Sequence, residues 1–112
     1  MSRCIFCDIV EGKAPADIVY KDEKIIAIKD IRPQAPIHLL IIPREHIPTI
    51  LDVKDYGLVG RMFEVANMLA KEMGIAEDGF RLVFNCNRGG GQAVYHLHLH
   101  LLGGRQMHWP PG

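Results

Sequence analysis

An excess of charge of either sign is missing from this chain. Its 112 residues carry 13 Lys plus Arg against 13 Asp plus Glu. Neither a basic nucleic-acid groove nor a patch for an anionic membrane surface has support in such a balance. Long apolar runs are missing too, since all fall far short of the roughly 20 residues that span a bilayer. The opening Met1-Ser2-Arg3-Cys4 has no extended apolar signal segment. Cysteine is scarce: there are three, two of them as Cys4-x-x-Cys7, and they make no disulfide framework. Without an export signal they read as reduced thiols or metal ligands, and a cytoplasmic location is expected. No internal repeat, low-complexity tract or interdomain linker is visible, so residues 1–112 are expected to form one domain. A monomer this size buries only about 65% of its unfolded surface. A further apolar interface, a symmetric dimer, is therefore expected.

Punctuation by Gly and Pro divides the chain. Ile5, Phe6 and Ile9 suit one or two helical turns that stop near Gly12 and Pro15. Ile18-Val19-Tyr20 and Lys24-Ile25-Ile26-Ala27-Ile28 read as two strands around the charged turn Lys21-Asp22-Glu23. Two prolines make 30–36 a loop, and Ile37-His38-Leu39-Leu40-Ile41-Ile42 is a strand that Pro43 ends. Leu58, Met62, Val65, Leu69 and Met73 fall on one helical stripe, predicting a long helix over 53–73 with Asp52 as N-cap and Gly74 just past its end. Phe80-Arg81-Leu82-Val83-Phe84-Asn85 reads as another strand. The fold class is α+β: about five short, mainly antiparallel strands with one long and one short helix.

Against this frame stands Gly89-Gly90-Gly91-Gln92-Ala93-Val94-Tyr95-His96-Leu97-His98-Leu99-His100-Leu101. Strict alternation is a strand signature, so His96, His98 and His100 should line one face, roughly 6.6 Å apart, with the leucines facing the core. Three imidazoles in a row can form a metal trio or supply a nucleophile. The glycines can adopt positive φ and expose N–H groups to an anion. Phosphate beside a neutral imidazole is the arrangement that nucleophilic attack at phosphorus needs.

The motif His96-Leu97-His98-Leu99-His100-Leu101-Leu102, with 91–95 before it and 103–112 after it, resembles the histidine-triad (HIT) family and its Hint branch. The likeness extends through 30–38 and 42–47. It implies a HIT fold and hydrolysis of the P–N bond of purine nucleoside 5′-phosphoramidates, releasing AMP. In that scheme His98 is the nucleophile, with His100 and His38 around the phosphate and His96 completing the triad. Asp30 holds the ribose hydroxyls, Ile31 meets the base, and Ile5, Phe6, Ile9 and Ile28 line the purine pocket. Asn85 contacts the nucleotide, and N–H groups around Gly91, Gln92 and Ala93 meet phosphate oxygens, worth about 3 kcal/mol each where charge grows. Trp109, in the tail, is expected near the partner subunit's site, where it shapes the choice of leaving group. Ala93 stands where the branch commonly has Ser, which shifts leaving-group protonation to His100 or water. Ile28 stands where an aromatic is common.

By spacing alone, Cys4-x-x-Cys7 is equally a pair of small half-buried residues or a redox pair. The resemblance adds a zinc-binding variant of the family, in which Cys4, Cys7, His46 and His96 hold a structural Zn²⁺. Four protein ligands leave no open position, so the metal would be structural. Cys86 reads as a small residue after a strand. No redox cofactor is expected, and the partners are a purine nucleotide and a second copy of the chain. Rival readings are another HIT chemistry, such as dinucleoside polyphosphate hydrolysis or nucleotidyl transfer, and a non-catalytic nucleotide-binding scaffold.

Overall fold

The computed structural model describes residues 4–112, so Met1, Ser2 and Arg3, read above as lacking an apolar leader, lie outside the described residues. Helix α1 (Ile5–Val10) begins at Cys4, whose Sγ accepts the N–H of Cys7 at 3.3 Å. Gly12 follows it at φ +76°. Strands β1 (Ile18–Lys21) and β2 (Ile25–Lys29) flank a turn that Asp22 holds by accepting the N–H groups of Lys24 and Ile25, both at 2.8 Å. The same carboxylate accepts Tyr20 Oη–H at 2.6 Å and Arg61 Nη2 at 3.2 Å, clipping the turn to the long helix. Strand β3 (Ile37–Pro43), helix α2 (Tyr56–Glu72), β4 (Phe80–Val83) and β5 (Leu99–Gly103) complete the set. The sheet is antiparallel throughout, in the order β1-β2-β3-β5-β4.

Both faces of the sheet are covered. Ile25, Ala27, Leu39, Ile41, Leu99 and Leu101 pack under α2 against Met62, Val65, Ala66 and Leu69. Ile26, Ile28, Leu40 and Ile42 point the other way, under Phe6 and Ile9 of α1. Strands β2 and β3 therefore read as nearly continuous apolar runs, each buried branched side chain contributing about 1.5–3 kcal/mol. Leu40 pairs with His100 and His38 with Leu102, which puts His38 and His100 on the α1 face.

Three boundaries differ from the sequence reading by more than one residue. Helix α2 starts at Tyr56 rather than Val53, because Asp55 accepts the Gly57 N–H at 2.9 Å and is the N-cap. Asp52 instead closes a capping box with Thr49 around the single 3₁₀ turn Ile50–Asp52. Strand β4 ends at Val83, short of Asn85, and β5 begins only at Leu99, so His96 and His98 precede the ladder. The leucine face is the core face, as predicted, with Leu97, Leu99 and Leu101 all buried. The histidine face is covered as well, since α1 lies across it; His96 is 0% and His98 8% exposed.

Candidate active site and metal centre

The nucleophile candidate is held by its own strand approach. His98 Nδ1–H donates to the carbonyl oxygen of His96 at 2.7 Å. A carbonyl only accepts, so the proton must sit on Nδ1, and the lone pair of neutral His98 is on Nε2. The Phe6 ring packs edge-on against the imidazole, 5.1 Å between centroids, and limits its rotation. His100 lies beside it at 4.9 Å between ring centroids, and His38 Nε2 is 2.9 Å from His100 Nδ1. Asp30 Oδ2 stands 3.4 Å from His38 Nε2, while its Oδ1 accepts the Arg32 N–H at 2.8 Å.

Burial sets the charge of these groups. Desolvation pushes His38, His96 and His98 below the ordinary imidazole range, with Asp30 partly opposing it at His38 and His98. His100 is driven down to about 4 by desolvation and by its neighbours His98 and His38. All four are neutral at pH 7, the state a nucleophile and its hydrogen-bonding partners require. The same shift predicts acid lability. Between pH 6.5 and 4 the unfolded chain binds a proton at His100 that the folded chain refuses, so stability rises with pH across that window. Against a His100→Leu variant, the chain's unfolding free energy should fall by about 1.4 kcal/mol per pH unit from pH 6.5 toward 4 and stay flat above it. Urea titrations at stepped pH measure the difference.

The glycine run forms the turn over 87–91, with Asn87 at φ +59° and Gly91 at φ +78°. The Gly91 N–H donates to Arg88 O and the Gln92 N–H to Asn87 O, both at 3.0 Å. Of the three donors expected to meet phosphate, two thus already bend the loop. The Gln92 side chain is buried and acts as its clamp: Nε2 donates to Pro48 O and Val94 O, and Oε1 accepts the Asn87 N–H. Gly90 permits the close fold of the turn, because a Cβ there would meet Cys86 O at 2.6 Å and Cys86 N at 2.7 Å. Gly90→Ala should lower stability by about 1–3 kcal/mol and weaken nucleotide binding, since backbone cannot yield as a side-chain tip can. Thermal unfolding and AMP titration read the two effects.

The other expected contacts are distributed unevenly. Phe6, Ile9 and Ile28 form one apolar cluster beside the histidines. Ile5 is about half exposed, and Ile31 and Trp109 are 91% and 81% exposed. Trp109 rests on its own β4, its ring 5.5 Å from the Arg81 guanidinium, which also donates to His108 O. Asn85 is half-buried between β4 and the glycine turn.

A second cluster sits where α1 meets the segment before β5. His96 Nε2–H donates to Pro43 O at 2.7 Å, so Nδ1 carries the lone pair. Around that one lone pair lie His46 Nδ1 at 3.2 Å, Cys4 Sγ at 3.3 Å and Cys7 Sγ at 3.5 Å, and Cys7 Sγ is 3.3 Å from His46 Nδ1. The four ligand atoms all lie within 4.8 Å of one another. A tetrahedron about Zn²⁺ has edges of about 3.3 Å between nitrogens and about 3.8 Å between sulfurs, from the usual bond lengths. The donor set and its spacing fit that ion. The Pro43 carbonyl supplies the outer hydrogen bond that orients a ligating imidazole. Burial and the Cys4 sulfur push the Cys7 thiol up to about 11, so metal binding would have to displace its proton.

Sequence reasoning named the four ligand candidates and the triad. It missed the groups that aim them: the Pro43 and His96 carbonyls, the Gln34 N–H on His38, and the buried Gln92 amide. Backbone groups have no residue type to read, although Gln92 directly after the glycine run was visible.

Comparison with known proteins agrees with this geometry. The HIT domain profile matches residues 11–107. The purine nucleoside phosphoramidase of Escherichia coli (strain K12) is 53% identical over 105 residues, covering 92% of this chain and 88% of the relative. A 14 kDa zinc-binding protein of Zea mays is 45% identical over 115 residues, covering 99% and 89%. Among solved structures, a HIT family hydrolase from Legionella pneumophila Philadelphia 1 superposes with a TM-score of 0.96 at 58% identity, covering 98% of this chain and 100% of that one. Fold, triad and profile coincide over nearly the whole length, and the chain belongs to the HIT domain family.

Proposed function

We propose that the chain hydrolyses the P–N bond of purine nucleoside 5′-phosphoramidates, releasing the amine and AMP. The carrying observation is the His98 tautomer: its Nδ1–H is held by the His96 carbonyl at 2.7 Å, leaving a neutral Nε2 lone pair to attack. In the first step Nε2 bonds to phosphorus and the P–N bond breaks, its electron pair leaving with the amine. In the second, water attacks phosphorus, the P–Nε2 bond breaks, and the pair returns to His98. The positive charge that forms on the imidazole during the adduct is stabilised by the His96 carbonyl. Phe6, Ile9 and Ile28 offer the apolar wall for the base, Ile5 and Ile31 its exposed rim, and Asp30 the carboxylate for the ribose hydroxyls. Support for the substrate comes from the Escherichia coli relative, a purine nucleoside phosphoramidase at 53% identity.

Cys4, Cys7, His46 and His96 would hold a structural Zn²⁺, whose chemistry here is cross-linking: it would tie α1, and so Phe6, to the His96-His98 segment. The edge strand β4, with the exposed Phe63 of α2 against Phe84 just past its end, is the surface proposed for a homodimer. A cytoplasmic location, no membrane and no nucleic-acid partner complete the reading. The test is a quenched reaction with an AMP-amide followed by mass analysis. A nucleotidyl adduct on His98 is expected; turnover without an adduct there overturns the assignment. Faster release of AMP from a dinucleoside polyphosphate than from the amide would move the chain to another HIT chemistry.

A further inference from the structure

Two distances place every proton in the His38–His100 pair. The Gln34 N–H donates to His38 Nδ1 at 3.0 Å, so Nδ1 presents its lone pair and the proton of neutral His38 sits on Nε2. That Nε2 is 2.9 Å from His100 Nδ1, a separation at which two nitrogens share a single proton. His100 Nδ1 is therefore an acceptor, and the proton of neutral His100 sits on Nε2. This Nε2 is buried and, among the described residues, has no hydrogen-bond partner. An unmade buried hydrogen bond costs about 1–3 kcal/mol, so a donor left in that state is aimed at something.

The series runs one way only. An imidazolium at His100 would need a second proton on Nδ1, directly against the His38 Nε2–H. His38 could give way only by moving its proton to Nδ1, directly against the Gln34 N–H, and a peptide donor cannot reverse. Between Gln34 and the unpartnered Nε2 of His100 there is room for two protons and no third. The charged and titratable groups facing His100 are His98 on the approach to β5, His38 on β3 and the Asp30 carboxylate after β2. Only Asp30 favours a positive charge, and burial with the two imidazoles outweighs it.

We infer that His100 acts, near neutral pH, as an uncharged hydrogen-bond donor to a phosphoryl oxygen, locked by the Gln34 N–H acting through His38, and that the leaving amine takes its proton from solvent. This rests on the phosphoramidase reading and deepens it. As the Nε2–P bond at His98 forms and the P–N bond breaks, the amine nitrogen keeps the bonding pair and gains a proton from water. His100 keeps its Nε2–H throughout, and the water that cleaves the adduct returns a proton to solvent. Ala93, a methyl group where a hydroxyl would offer another route, has no proton to give. Gln34 is then a positioning residue through its backbone alone, invisible to any side-chain scan.

The experiment is long-range ¹H–¹⁵N NMR of the histidine rings, free and with the methyl ester of AMP, whose phosphate stays a monoanion between about pH 6 and pH 8. Calorimetry in buffers of different ionisation enthalpy counts protons taken up on binding. The expected result is the Nε2–H form for both His38 and His100 with and without ligand, and no uptake at those two residues. A doubly protonated His100 in the complex, or an uptake lost in His100→Asn, overturns the inference while leaving the phosphoramidase reading standing. Failure of the ester to bind counts against that reading itself and takes the donor role with it. Gln34→Pro deletes the N–H. It should raise the protonation midpoint of the pair by about one pH unit or more, because Nδ1 of His38 becomes free to hold a proton. An unmoved midpoint in the folded variant also overturns the lock.

Discussion

His98→Ala should lower kcat/KM for an AMP-amide by about ten-thousand-fold or more, with AMP binding weakened only a few-fold. The asymmetry follows from where the imidazole acts. In the proposed mechanism its Nε2 forms a covalent bond that no neighbour can replace: His100 presents a donor, His96 turns its lone pair to Cys4, Cys7 and His46, and His38 is hydrogen-bonded at both nitrogens. The base wall of Phe6, Ile9 and Ile28 and the Asp30 carboxylate stay in place. Removing a buried imidazole also leaves the His96 carbonyl without a donor and Phe6 without an edge contact, so a modest stability loss accompanies the change. Single-turnover kinetics with equilibrium AMP titration separate the two effects. A variant retaining more than a tenth of the rate would remove His98 from the chemistry.

Cys4→Ser should produce the largest stability effect. Cys4 has two roles: its Sγ caps α1 by accepting the Cys7 N–H, and it faces His96 Nδ1 at 3.3 Å. A serine hydroxyl retains the capping ability and discards the thiolate, so the variant isolates the metal contribution. Structural zinc contributes of the order of 10 kcal/mol to small zinc peptides. In a chain with its own core under α2 the share is smaller, and a loss of about 3 kcal/mol, equivalent to a fall in Tm of roughly 10–20 °C, is expected. Elemental analysis should show about one zinc per native chain and almost none in the variant. Because Phe6 touches both His96 and His98, nucleotide affinity should fall along with the metal. Equal melting temperatures with metal absent from both proteins would mean that the four residues are held by the fold alone.

The legibility of the chain was uneven, for physical reasons. The strand runs and the α2 stripe were plain because burial on one face imposes a period, and Met62, Val65 and Leu69 do pack from the helix onto the sheet. The start of α2 was not, since Asp52 and Asp55 are equally good N-caps in sequence and Thr49 recruited the first. The triad was recognised by its spacing. Its environment was not: alternation suggests one wet face, and only the return of α1 across the sheet covers His96 and His98. Contacts between residues 4–10 and 96–98 are separated by almost the whole chain, and no local pattern encodes them.

By itself, the sequence determined the α+β class and the leucine core face, which depend on residue type and spacing that a linear chain displays. Its resemblance to the HIT family, carried by the triad motif, pointed to the roles of the triad and to the Cys4, Cys7, His46 and His96 set. The tertiary structure alone decided which nitrogen of each imidazole carries a proton. His96 and His98 take their tautomers from the carbonyls of Pro43 and His96, and His38 takes its own from the N–H of Gln34. Every residue except proline has both backbone groups, so only their placement in space can make one of them a functional part.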